Sequence, residues 1–370
     1  MARVLITGGA GFIGSHAADV LLQAGYEVRI LDSLTPQVHG AQQAAPAYLN
    51  PETDLIIGDI IDPQAVERAL RGTDMVLHLA AAVGVGQSMY DIANYVRTNE
   101  LGTAILLEAI SKRPVERLVV ASSMSIYGEG LYRTNSGMMA SPDQRSFAQL
   151  RRGEWELQDE NGELLHPIPT PETKRPACSS IYALNKYAQE CMCLVTGSAY
   201  GIPTVALRFF NVFGPRQALS NPYTGVLAIF AARLLNHKPP LVFEDGLQQR
   251  DFVHVRDVAR ACQLALETSH TGQAFNIGSG ENRSILSIAE DLARVMDCPT
   301  IVPELTGKYR AGDIRHCFAD IDKSRRLLGF APQVQFDNGL SELADYLADQ
   351  IAEDRAETAT QELLQRGLVA

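Results

Sequence analysis

The chain has 370 residues, 46% of them hydrophobic and 20% charged, enough to bury a substantial core in one large domain or two moderate ones. A formal net charge of -11 argues against a broad nucleic-acid footprint, so any phosphate site must be local. Cys178, Cys191, Cys193, Cys262, Cys298 and Cys317 form no C-x-x-C pair, and no apolar stretch reaches membrane-spanning length. The expectation is reduced thiols, no metal site, no membrane partner and a cytoplasmic location.

From the N-terminus, short apolar runs alternate with helix-length segments: RVLITG, HAADVLLQAG, EVRILD, AVERALRG, DMVLHLAA, GTAILLEAISKR and RLVVASS. Continuous apolar strands between amphipathic helices mark a parallel sheet covered on both faces, an α/β fold of the doubly wound type.

Gly8, Gly11 and Gly14 of TGGAGFIGSH follow the first strand and open the first helix. Glycines there permit a tight turn and close backbone approach to a pyrophosphate, while the helix start offers free N–H donors. Asp32 ends the second strand, where a carboxylate accepts from both ribose hydroxyls and repels a 2′-phosphate; the cofactor is read as NAD rather than NADP. Asp59 of GDI, after the third strand, is read as an adenine contact.

Further along, SSIYALNKYAQE places Tyr182 and Lys186 four residues apart at the start of a helix. Alone, this is equally the signature of two amphipathic side chains sharing one helical face. TVALRFF and AFNIGSG supply two more parallel strands, and the Pro-rich segments around them read as a second lobe. The expected layout is a nucleotide-binding domain over 1–210, completed by 253–280, with a smaller mixed α/β substrate lobe over 211–252 and 281–350. A tail over 351–370 reads as an appended surface helix.

TGGAGFIG, HLAA, SSMSIYG, YALNK, RFFNVFGPRQ, RDFVHVRDVA and YRAGDIRHCFADIDKSRRLLGFAP occur in this order, and together they resemble the extended short-chain dehydrogenase/reductase family, in particular its nucleotide-sugar epimerases and dehydratases. The resemblance spans residues 2 to 348 and implies a Rossmann-type domain. It also implies Tyr182 as general base, Lys186 as the residue that holds the nicotinamide ribose and lowers the tyrosine pKa, and Ser123 as a hydrogen-bond partner of the reacting sugar hydroxyl. Phe12, Ile13, Ile60, Leu79, Ala80, Ala81 and Asn99 are implied to line the NAD site. Ser125, Asn211, Arg250 and Arg310 are implied to meet the sugar and its diphosphate, and Asp313 the nucleoside ribose. Arg250 beside Asp251 and Arg310 near Asp313 also read as structural salt bridges. A phenol with a pKa of about 10 must fall by about 3 to act near neutrality, roughly 4 kcal/mol of differential stabilisation.

The dehydratases of this family carry an Asp-Glu pair directly after the Ser/Thr position, whereas Met124 and Ser125 stand here. The same stretch lacks the glutamate of the decarboxylases and the cysteine of the 3,5-epimerases. Reversible oxidation at one carbon remains, either C4 epimerisation or a net dehydrogenase or reductase reaction.

Tyr127 and Tyr182 lie 55 residues apart, too far for a passive connection. The intervening insertion, 129–170, is expected to be a substrate lid or small subdomain and resembles that of the dTDP-L-rhamnose 4-epimerase branch, without cysteines that could hold zinc. The resulting expectation is a dTDP-L-rhamnose 4-epimerase. A UDP-hexose or UDP-hexuronate 4-epimerase, a net 4-ketosugar reductase and a non-catalytic NAD-binding protein are the alternatives. The resemblance further implies a homodimer built on the helix after Asn99 and the helix of Tyr182.

Overall fold

Seven parallel strands form the central sheet: β1 (Arg3–Thr7), β2 (Glu27–Asp32), β3 (Asp54–Ile57), β4 (Met75–His78), β5 (Arg117–Ser123), β6 (Thr204–Phe209) and β7 (Gln273–Ile277), in the order β7-β6-β5-β4-β1-β2-β3. The computed structural model describes residues 1–370 except 41–43, 143, 220, 222, 224, 311, 349, 351–353, 355 and 370. Parts of the expected insertion, second lobe and tail therefore lie outside the described residues.

Successive strand side chains point to opposite faces, and both faces are dry. Val4 and Ile6 of β1 join one apolar cluster with Ala17 and Leu21 of α1 (Phe12–Gln23), while Leu5 joins the cluster on the other face. Helices α1 and α4 (Val255–Glu267) cover the first face; Pro63–Leu70, α2 (Gly102–Lys112) and α3 (Ile181–Tyr200) cover the second. The strand order reverses between β1 and β4, which opens a crevice at their carboxyl ends, the usual ligand position in such sheets.

A separate core around Phe213, Phe230, Phe252, Leu292 and Leu340 belongs to the second lobe, whose short strands include Asn211–Phe213, Gln249–Arg250, Phe252–His254 and His316–Cys317. α4 and β7 belong to the central sheet and its core, so the chain enters the second lobe and returns. The insertion carries a small sheet and core of its own. Leu131–Arg133 pairs antiparallel with Met139–Ala140 and with His166–Ile168, around a small core of Tyr132, Leu157 and Leu165.

What anchors the insertion is charge. Arg315 is fully buried and pairs with Glu156 at 2.5 Å, Glu244 at 2.9 Å and Asp245 at 2.7 Å. Arg145 adds a 2.8 Å pair to Glu244, and His316 Nε2 meets Glu156 at 2.9 Å. Buried charges need such multiple partners, and the array ties the insertion to the second lobe.

Within the tail, one surface helix docks by a single face. α5 (Ala356–Gln365) buries Leu363 against Gly86, and Glu362 Oε2 accepts from Tyr223 at 2.8 Å and Tyr90 at 3.0 Å. The six cysteines are free thiols. Among the described residues no helix is long and apolar enough to cross a membrane.

Candidate active site

The crevice is a cavity of about 610 Å³ that runs from the β1 turn, past the ends of β4 and β5, to the second lobe. It brings together Gly8, Gly11, Phe12, Ile13, Gly14, Asp32, Asp59, Ile60, Leu79, Ala80, Ala81, Ser123, Tyr182, Lys186 and Asn211. Asn99, Ser125, Arg250, Arg310 and Asp313 are not in its wall.

The turn at the floor requires its glycines. Gly8 has φ +70°, and a Cβ there would sit 2.9 Å from the Ala80 backbone; a Cβ on Gly14 would lie 2.5 Å from Gly8 O. Gly11 starts α1 without a side-chain cap, which leaves the first helical N–H groups for a ligand. At the end of β2, Asp32 accepts from Ala10 N at 3.0 Å and Leu34 N at 2.9 Å, which fixes its carboxylate in the wall while lone pairs remain. An uncapped helix start, a backbone cradle and a carboxylate at this spacing fit a dinucleotide.

Tyr182 and Lys186 sit on the cavity side of α3. Ser180 caps this helix through Ala183 N at 3.1 Å, and Ser88 Oγ accepts the Tyr182 N–H at 3.0 Å. The helix ends on Gly201 at φ +68°, a left-handed position. Burial pushes the Tyr182 phenol up to about 12, opposed by its hydrogen bond to Ser123. Burial brings the Lys186 ammonium down to about 8.

Ser125 lies behind Ser123 and donates to it. Asn99 is fully buried and clamps Ala82, accepting from its N–H at 2.7 Å and donating to its carbonyl at 3.1 Å. In the second lobe, Asn211 Oδ1 is buried without a hydrogen-bond partner among the described residues and belongs to a residue of the cavity wall. Arg250 donates to the carbonyls of Gln249 and Arg315 at 2.9 Å and to that of Ile314, and it pairs with Asp313 at 3.6 Å rather than with Asp251. Arg310 stacks over Phe243 at 4.5 Å, and its buried Nε has no partner among the described residues.

The model of the NAD dependent epimerase/dehydratase family matches residues 4–147 and 160–278. The chain belongs to this family. NAD is the family's cofactor, and the gap in the match, 148–159, falls inside the insertion. A dTDP-L-rhamnose 4-epimerase of Burkholderia thailandensis is 34% identical over 354 residues, 94% of this chain and 96% of the relative. Among solved structures, the UDP-glucose 4-epimerase of Thermus thermophilus in complex with NAD is 32% identical with a TM-score of 0.73, covering 94% of this chain and 99% of that one. The UDP-glucuronic acid 4-epimerase of Bacillus cereus, in complex with UDP-glucuronic acid and NAD, is 28% identical with a TM-score of 0.73 over the same shares, 94% and 99%.

Sequence reading missed several residues that shape the family site. Gln87, Tyr95, Thr98 and Asn221 line the cavity, and Ser88 accepts the Tyr182 N–H at the start of α3, yet no local motif announces them.

Proposed function

We propose that this chain inverts C4 of dTDP-L-rhamnose, giving dTDP-6-deoxy-L-talose. The chain is an NAD-dependent nucleotide-sugar epimerase. The observation that carries the reading is one continuous cavity that holds the glycine turn, Asp32, Ser123, Tyr182 and Lys186 at one end and Asn211 of the second lobe at the other. The sugar itself is supported by the Burkholderia relative and by the insertion.

NAD would be held by the glycine turn and Asp32 and would supply reversible hydride chemistry at C4. Tyr182 removes the C4 hydroxyl proton and gives it back. Ser123 holds that hydroxyl against the phenol, and Lys186 supplies the positive charge that stabilises the phenolate. Met124 and Ser125 offer no acid-base pair for eliminating water, and the product keeps all its atoms. Asn211, Arg250 and Arg310 hold the diphosphate and Asp313 the nucleoside ribose; for Arg250 this means giving up carbonyl partners when substrate enters.

We also infer a homodimer in which exposed Leu101, Leu184 and Val195, on the helices after Asn99 and around Tyr182, meet their copies. A monomer in sedimentation at micromolar concentration would remove that part.

The test is NMR of the purified protein, with no added cofactor, incubated with dTDP-L-rhamnose, UDP-glucose, UDP-glucuronate or UDP-N-acetylglucosamine. A C4 epimer from dTDP-L-rhamnose supports the proposal. An epimer from a UDP-sugar alone moves the substrate to that class. Product formed only with NADH and a 4-keto sugar replaces epimerase by reductase.

A further inference from the structure

Behind the cavity wall lies a dry chain of hydrogen bonds that ends on Lys186. Its Nζ donates to Gln189 Oε1 at 2.8 Å. Gln189, Thr103 and Asn99 are fully buried, and His78 nearly so.

The direction of every bond in the chain is determined. The Thr103 hydroxyl donates to Asn99 O at 2.5 Å, so Thr103 Oγ1 can only accept from its other neighbours, Gln189 Nε2 at 2.8 Å and His78 Nε2 at 2.9 Å. His78 therefore carries its proton on Nε2, and its Nδ1 accepts from Thr7 Oγ1 at 2.7 Å. Thr7 in turn accepts from Ala80 N at 3.3 Å. A flipped Gln189 would turn its NH₂ toward the ammonium and its carbonyl toward a hydroxyl with no proton to give. The carbonyl is pinned on Lys186.

The charged and titratable groups around Lys186 leave it no carboxylate partner. Glu190, the next residue of α3, is held by Arg208 of β6 through bonds of 3.0 and 2.6 Å. Glu100 takes the Asn185 amide at 2.5 Å. Burial keeps His78 neutral, down at about 3, and the Cys193 thiol neutral, up at about 12. Tyr182 on α3 and Tyr95 opposite it are neutral phenols, both pushed up by burial.

We propose that Gln189 is the positioning residue of the catalytic lysine: it fixes Nζ in the wall with one of three protons, leaves two for ligand, and sets the upper pH limit of activity. The proposal rests on the reading that Lys186 serves Tyr182 and the cofactor. An ammonium with a neutral acceptor is easier to deprotonate than one with a carboxylate, and one with no acceptor is easier still. Once Lys186 loses its proton, Tyr182 loses its cation and turnover falls.

The experiment is NMR of ¹³Cε-labelled lysine, with the Lys186 signal assigned by its absence in Lys186→Arg, alongside kcat against pH for wild type, Gln189→Leu and Gln189→Glu. In Gln189→Leu the Lys186 titration and the falling limb of kcat should both move about one pH unit toward acid, and the NAD retained through purification should drop. In Gln189→Glu both should move about one unit toward alkali. A Lys186 titration unmoved in both variants, or kcat lowered evenly at all pH, overturns the proposal. If no sugar is turned over while the Lys186 titration moves as stated, the functional reading fails and the positioning role stands. Should Gln189→Leu not fold, Thr103→Val leaves the amide nitrogen only its 3.5 Å bond to Ala80 O, loosens the hold on Oε1 and must shift Lys186 in the acid direction, or the proposal falls.

Discussion

Ser125 donates to Ser123 twice, from its backbone N–H at 3.2 Å and from its hydroxyl at 2.8 Å. A serine oxygen has two acceptor sites and one proton, so Ser123 is filled as an acceptor and points its proton outward, at Tyr182 in the free protein and at the C4 oxygen in the proposed complex. A donor aimed at the tyrosine oxygen favours phenolate over phenol, in agreement with the lowering effect of Ser123 on the Tyr182 pKa.

Ser125→Ala leaves Ser123 free to accept the Tyr182 proton instead. The expected result is kcat down about tenfold and a rising pH limb displaced to higher pH, with NAD content unchanged. A pH-rate profile and nucleotide released by acid check both parts. An unshifted limb would show that Ser125 only supports the loop.

Removing NAD should silence the tyrosine. With the phenol at about 12 in the free protein, Tyr182 stays protonated throughout the working range and ionises at lower pH only when the oxidised cofactor is restored. The measurement is the tyrosinate absorbance difference between wild type and Tyr182→Phe, with and without NAD. Ionisation near pH 7 in NAD-free protein would contradict it.

The insertion should respond to acid. Burial opposes ionisation of Glu156, yet the bonds from His316 and Arg315 hold its carboxyl down from 4.5 to about 2. The unfolded chain therefore binds more protons between those values, and this contribution to stability is complete above about 5 and lost as pH falls toward 2. Glu156→Gln should lower Tm at pH 7, and the gap from wild type should close on acidification. Arg315→Leu, which takes the guanidinium from Glu156 and Asp245 and leaves Glu244 with Arg145 alone, should cost about 3 kcal/mol at pH 7. Thermal melts at stepped pH read both.

Loosening the tail should loosen the cofactor. Leu363 packs on Gly86 in the short segment that carries Gln87 of the cavity wall and Ser88, the cap on Tyr182 N. Leu363→Asp places a charge at this buried contact, and the expected outcome is faster exchange of bound NAD with the global melt largely kept. Displacement by NADH, followed by fluorescence, measures it; an unchanged exchange rate would leave the tail without a role at the site.

The sequence by itself determined whatever depends on local spacing. Three glycines between a strand and a helix, Asp32 at the next strand end, and Tyr182 with Lys186 one helical turn apart are requirements of backbone geometry and of 3.6 residues per turn, so they are visible in one dimension. The absence of an acid-base pair at Met124 and Ser125 is visible for the same reason. The tertiary structure decided which side chains serve those residues. Gln189 finds Thr103 across 86 positions, Arg315 finds Glu156 across 159, and Glu362 finds Tyr90 across 272. A buried polar atom must be satisfied by whatever packing brings to it, and packing joins residues without regard to their separation along the chain. Hence the insertion could be seen in the sequence, but the charge that anchors it could not. Likewise Ser125 could be named at the site, but only its place behind Ser123 shows what its hydroxyl does.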